Sequence, residues 1–166
     1  MTKEKSWKDI ISALALGELL LSANILQNVL ITHEPKIAAL KIAGLLTFLI
    51  AVILWPIPYF TLRKYGNISS NGSYMATTKL VDKGIYRIIR HPQYLSFILL
   101  NIGVGLINHN IFSVSLSLTS IFFILVGIKD EEQQLVNQFG ADYVDYMKKV
   151  PSFSPLRTLF RSTSKK

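Results

Sequence analysis

The 166-residue chain has no cysteine, which excludes disulfides, a thiol nucleophile and a cysteine-based zinc site. Histidine is scarce: His33, His91 and His109 are scattered with no pair at ligand spacing, so no catalytic metal is expected. Charge is thin, at 17% of residues, where soluble domains carry about a quarter. Acids are the scarcer sign, ten against eighteen lysines and arginines, for a net charge of +8. A nucleic-acid binder could carry that surplus, but here the cations flank apolar blocks, as on the cytoplasmic side of membrane proteins. No nucleic-acid partner is expected. Internal repeats, low-complexity tracts and a second domain are also missing, and the length suits one compact unit.

What is present is apolar, half of the chain, gathered in four blocks. The first, about Ile10 to Ile31, follows Lys3, Lys5 and Lys8 and is long enough for a core of about 30 Å. A cleavable signal peptide would have an apolar region of only about 7–15 residues. This block is longer and carries Glu18, Asn24, Gln27 and Asn28, so it reads as a retained span. The second, about Ala38 to Phe60, ends in Trp55-Pro56-Ile57-Pro58-Tyr59, where two prolines must kink or end a helix. Trp55 and Tyr59 suit a membrane interface. Residues 63–91 form a basic stretch with a loop signal from Asn67 to Gly72. The third block, Pro92 to Ile107, reaches about 24 Å as a helix. It turns at Asn108-His109-Asn110 into the fourth, Ile111 to Ile128, giving a tight hairpin. In the tail, Leu135, Val136, Phe139, Tyr143, Tyr146 and Met147 recur at helical spacing, which predicts an amphipathic helix ended by Pro151 and Pro155.

The cations set the orientation. The N-terminus, residues 63–91 and the tail are basic, the 108–110 turn has no cation, and the 32–37 loop has Lys36 alone. Four spans with both termini in the cytoplasm satisfy this pattern. The expected fold is therefore all-α: an integral membrane protein of about four transmembrane helices, the last two a hairpin, plus a cytosolic amphipathic helix. Residues 1–62 would form two N-terminal spans and 63–166 the functional core of a single domain. The lack of a cleavable signal suits a prokaryotic plasma membrane.

Two polar clusters are expected to meet on the cytoplasmic side, because the short hairpin joins them. One is Arg90-His91-Pro92-Gln93-Tyr94. His91 precedes proline and is pushed towards extended geometry, and Pro92 is favoured at the first helical position. The third helix would open here with unused amides and a positive dipole end, which suits a carboxylate or phosphate. The plainer reading is a proline-capped helix whose Arg90 and His91 face lipid headgroups. The other cluster is Asp130-Glu131-Glu132 after Lys129. It could hold a cationic cofactor group, or simply pair with Lys129, Arg87 or Arg90. Glu18, about 12 Å into the first span, is either a substrate contact or a structural pair.

The run from Leu80 through Gly84, Tyr86, Arg90-His91-Pro92 and Tyr94 resembles the signature of isoprenylcysteine carboxyl methyltransferases and phospholipid methyltransferases. Glu131-Glu132, Phe139-Gly140, Tyr143, Tyr146, Val150-Pro151 and Pro155 continue the likeness over about half of the chain. The resemblance implies S-adenosylmethionine as methyl donor, bound by Thr78, Lys79, Leu80 and Val81, by Tyr86, by His91, Pro92, Gln93 and Tyr94, and by Glu131. It implies a lipophilic methyl acceptor drawn from the membrane, without a metal. Prenylcysteine enzymes carry an arginine four residues before the first glutamate. This chain has Gly127 there, which shifts the expected acceptor towards a phospholipid amine or another small lipophilic molecule. A carboxylate acceptor needs no base, whereas an amine must lose a proton, giving Glu18, Glu132 or His91 a catalytic role. Two rival readings remain. Sterol and polyprenol reductases share an Arg-His-Pro-Asn-Tyr motif and use NADPH, but Gln93 stands at their asparagine. A non-catalytic lipid-binding protein could keep the same fold.

Overall fold

The computed structural model describes residues 7–30, 37–67 and 77–153, with the backbone alone for 7–14 and 28–30. The basic Lys3, Lys5 and Lys36, most of the Asn67–Gly72 loop and Pro155 lie outside the described residues, as does the side chain of Lys8. Every regular element among the described residues is helical: α1 (Trp7–Leu30), α2 (Ala38–Leu54), α3 (Pro56–Tyr65), a 3-10 turn (Gly84–Arg87), α4 (Pro92–Asn108), α5 (Ile111–Phe139) and α6 (Ala141–Lys149). Among the described residues two stretches, Ala38–Tyr65 and Ile111–Phe139, are long and apolar enough to cross a membrane.

The chain divides into two compact units, Met1–Val52 with Ser96–Glu132, and Ile53–Leu95 with Gln133–Lys166. In the first unit α1 and α5 run antiparallel, held by polar contacts in an apolar setting. Ser120 Oγ donates to the Gly17 carbonyl at 2.7 Å. Asn24 Nδ2 donates to the Ser113 carbonyl at 3.0 Å and Ser117 Oγ at 2.9 Å, and Ser113 Oγ donates to Asn24 Oδ1 at 2.7 Å. These partners are all buried, and between membrane helices such bonds contribute about 1 kcal/mol each. α2 meets α4 at Gly44 and Gly103, where backbone touches backbone. The Ile37 amide, which no helical carbonyl can reach, donates to His109 Nε2 at 3.3 Å. His109 Nδ1 lies 3.3 Å from the Leu106 carbonyl, so the ring proton sits on Nδ1. The outer face is apolar, with Ile42, Leu46, Leu49 and Ile50 exposed.

Two expectations are refined. At Trp55-Pro56 the helix kinks instead of stopping: α2 ends at Leu54 and α3 resumes with proline at its start, so Arg63 and Lys64 form its last turn. The tail does not form one amphipathic helix. α5 runs on through the acids to Phe139, 29 residues or about 44 Å, and the chain breaks at Gly140 before α6. Asp130, Glu131 and Glu132 are therefore interior to a helix, and no dipole penalty falls on them.

Candidate functional site

The second unit is built around the irregular segment 77–91, which the flanking elements pin at several points. Gln138 Nε2 donates to the Thr77 carbonyl at 3.0 Å, and Thr78 Oγ1 donates to the Asn67 carbonyl at 3.1 Å. Val81 is buried, and Leu80 packs on a cluster formed by Tyr143, Tyr146 and Val150 with Leu135, Val136, Phe139 and Met147. The periodic apolar residues of the tail thus share one cluster across the break at Gly140. Gly84 opens the 3-10 turn at φ +59°, a conformation that suits glycine, and a Cβ there would lie 2.9 Å from the Thr61 methyl of α3.

After the turn, the chain is tied to the tail. Tyr146 Oη donates to the Tyr86 carbonyl at 2.5 Å. Burial raises the Tyr146 pKa well above the usual phenol range, with Arg90 opposing and Asp82 adding to the shift, so the hydroxyl remains a donor at ordinary pH. Arg90 Nη1 donates to the carbonyls of Met147 at 2.9 Å and Val150 at 2.7 Å, and Nη2 donates to Ser152 Oγ at 2.7 Å. The Arg90 and His91 amides donate to the carbonyls of Pro151 and Ser152 at 3.0 and 3.3 Å. His91 is 4% exposed. Its ring lies 5.7 Å from that of Tyr94 and 6.3 Å from that of Phe153. Its carbonyl accepts the first bond of α4, from the Leu95 amide at 3.0 Å, and Pro92 follows as the opening residue. The first-turn amides of α4 have no acceptor within the helix itself.

The structure thus brings Thr78, Lys79, Leu80, Val81, Tyr86, His91, Pro92, Gln93 and Tyr94 into one unit. Thr78 and Lys79 are exposed, Leu80, Tyr86 and Gln93 half-buried, and His91, Pro92 and Tyr94 buried. Glu131, Glu132 and Glu18 belong to the other unit. Glu131 keeps one carboxylate oxygen buried without a hydrogen-bond partner among the described residues, the state of an acceptor waiting for a donor or cation. Glu18 stands on an exposed face of α1. No group of His, Asp and Glu suited to a metal ion occurs among the described residues. A surface groove of about 860 Å³ runs between residues 80–87 and α6, lined by Asp82, Lys83, Arg87, Asp142, Asp145 and Lys149 over Leu80, Tyr146 and Val150. Of the expected cofactor residues only Leu80 lines it, so the groove is not the same surface. Asp145, held below the usual carboxylate range by its hydrogen bond to Lys148, is fully solvated there. The sequence reading missed the role of Arg90, whose acceptors are main-chain carbonyls and a serine in the tail.

The profile of one family, described as phospholipid methyltransferase, matches residues 39–142, which include the 77–94 segment and Glu131-Glu132. The chain belongs to the phospholipid methyltransferase family. Among relatives, a protein-S-isoprenylcysteine O-methyltransferase of Rattus norvegicus is 31% identical over 131 residues, 78% of this chain and 46% of that protein. The Schizosaccharomyces pombe protein of that name is 42% identical over 78 residues, 46% of this chain and 33% of its own. A methanethiol S-methyltransferase 2 of Bradyrhizobium diazoefficiens is 35% identical over 71 residues, 43% of this chain and 27% of its own. The chain spans less than half the length of these relatives. No solved structure matches it significantly. Family membership and the two long apolar helices together make it a membrane protein.

Proposed function

We propose that this protein transfers a methyl group from S-adenosylmethionine to a lipophilic acceptor at the cytoplasmic face of a membrane, the prokaryotic plasma membrane in the first instance. The observation that carries the reading is the buried His91-Pro92 segment, tied by backbone bonds to the tail in a chain of this family. S-adenosylmethionine has an anionic end and cationic groups, and each unit offers chemistry that suits one of them. The first-turn amides of α4 suit the methionine carboxylate. The buried carboxylate oxygen of Glu131 suits an ammonium or sulfonium. Thr78, Lys79, Leu80, Val81, Tyr86, Gln93 and Tyr94 are the further residues that the family resemblance assigns to the cofactor. The topology that goes with this reading has four spans, both termini inside, and α6 lying on the cytosolic surface with its apolar side inward.

The donor, when bound, supplies an activated methyl group, so the protein's task is alignment, which can contribute about 7–11 kcal/mol. Gly127 is buried where prenylcysteine enzymes hold a substrate arginine, so the acceptor is one that needs no such cation. A thiol or an amine of a lipid fits. Such an acceptor must lose a proton, and Glu132, His91 or Glu18 would take it. Calorimetry on the detergent-purified protein with S-adenosylmethionine and NADPH tests the reading. Binding of the first alone is expected, and Glu131→Gln should weaken it about 10- to 100-fold, the value of one charge-assisted contact. Binding of NADPH instead, or unchanged affinity and turnover in the variant, would overturn it.

A further inference from the structure

We infer that Arg90 is a positioning residue for the cofactor site: it caps the carboxyl end of α6 and so holds residues 146–153 against the His91-Pro92 opening of α4. The inference rests on the methyl-donor reading above. An arginine beside a His-Pro pair at a membrane surface would ordinarily be read as a headgroup or ligand contact. Here its guanidinium turns into the protein, towards Met147, Val150 and Ser152. Two of the three acceptors are carbonyls at the end of α6, the groups a helix cannot satisfy by itself. α6 has nine residues, too few to be stable alone in water. A cation at its carboxyl end meets the negative pole of the helix and supplies what its own backbone lacks.

The bonds continue in register. The Arg90 and His91 amides take the carbonyls of Pro151 and Ser152, and the next residue, Phe153, sets its ring beside the His91 imidazole. One guanidinium thus fixes the helix end, the serine beyond it and, through them, the aromatic wall of a buried histidine in the cofactor segment. Lysine cannot replace it: a single ammonium lacks the planar fork that reaches three acceptors in fixed directions. Arg90 touches none of the reacting atoms in this account and acts through Phe153 and His91.

The test uses the full-length protein in detergent, as wild type, Arg90→Lys and Ser152→Ala, with two measurements on each. Hydrogen–deuterium exchange reads the tail, and calorimetric titration with S-adenosylmethionine reads the site. In Arg90→Lys, exchange over residues 141–153 should rise about tenfold while α2 and α5 stay protected, and the cofactor should bind about tenfold more weakly. Ser152→Ala removes one acceptor and leaves both chain segments intact. It should show a smaller change of both quantities in the same direction, which guards against a lysine variant that does not fold. Unaltered exchange in the tail would overturn the inference. So would a loosened tail with undiminished cofactor affinity, the pattern of a merely structural cap. A wild-type protein that binds no S-adenosylmethionine would instead overturn the functional reading itself.

Discussion

At the scale of single residues, the side chains that hold the candidate site together act on backbone, and this explains what the sequence could and could not show. The opening of α4 at Pro92 was legible, because proline geometry marks it. The roles of Arg90 and Tyr146 were not. All but one of their acceptors are carbonyls about 60 positions away, and a carbonyl has no residue identity to read. Tyr146→Phe isolates one such bond. It removes one hydrogen bond from the Tyr86 carbonyl, a loss of about 0.5–1.5 kcal/mol. Thermal unfolding should show the loss at neutral pH. The pH dependence is a second check. The folded-state pKa of Tyr146 lies above that of the unfolded phenol, so its contribution is fully present below about pH 10 and declines as pH rises from there towards the folded value. The gap in melting temperature between wild type and Tyr146→Phe should therefore shrink above pH 10. A gap that held steady or widened there would mean that the hydroxyl is not a buried donor.

At the scale of elements, apolar runs and prolines marked where the helices start, whereas α5 runs eleven residues beyond its apolar block, to Phe139, because nothing in the polar run after Ile128 breaks a helix before Gly140. Pairing was another matter. Gly17 and Asn24 on α1 stand at the same spacing as Ser120 and Ser113 on α5, but nothing local says that these two helices face each other. The same holds for α2 and α4, and here glycine makes a sharp test. A Cβ on Gly44 would sit 2.7 Å from the Ile107 amide nitrogen and 2.8 Å from the Gly103 carbonyl oxygen. Both are backbone in a neighbouring helix and cannot step aside. Gly44→Ala should therefore cost about 1–3 kcal/mol, as overpacking does. On Gly105 a Cβ would meet the Ser117 side chain at 3.1 Å, which can yield by a few tenths of an ångström. Gly105→Ala should be close to neutral, the contact being offset by about 0.5–1 kcal/mol of improved helix propensity. Melting temperatures of the two variants in one detergent decide it. Equal losses would mean that α2 and α4 do not approach at Gly44.

At the scale of the whole molecule, the sequence offered charge asymmetry, and the structure adds an independent observation to it. The two connections that carry almost no cations are 32–37, with Lys36 alone, and the 108–110 turn. Within the first unit the start of α2 meets the 108–110 turn, because the Ile37 amide donates to His109. That proximity is what the proposed topology, four spans with both termini in the cytoplasm, requires. The weak point is α4, whose 17 residues make about 25 Å against a hydrocarbon core of about 30 Å. A hairpin that short either dips in and returns or crosses a locally thinned bilayer, and thinning costs only fractions of a kcal/mol per ångström. The exposed apolar start of α5, with Ile111 and Phe112, favours crossing, since it lengthens the greasy stretch beyond the turn. The absence of cysteine makes the test direct. Asn110→Cys, in the turn between α4 and α5, should react with an impermeant maleimide added to intact cells. Asp142→Cys, on the exposed side of α6, should react only after the membrane is opened. Labelling of neither position from outside would make the hairpin re-entrant and remove two spans, and labelling of Asp142→Cys in intact cells would invert the protein and move its candidate site away from the cytoplasm.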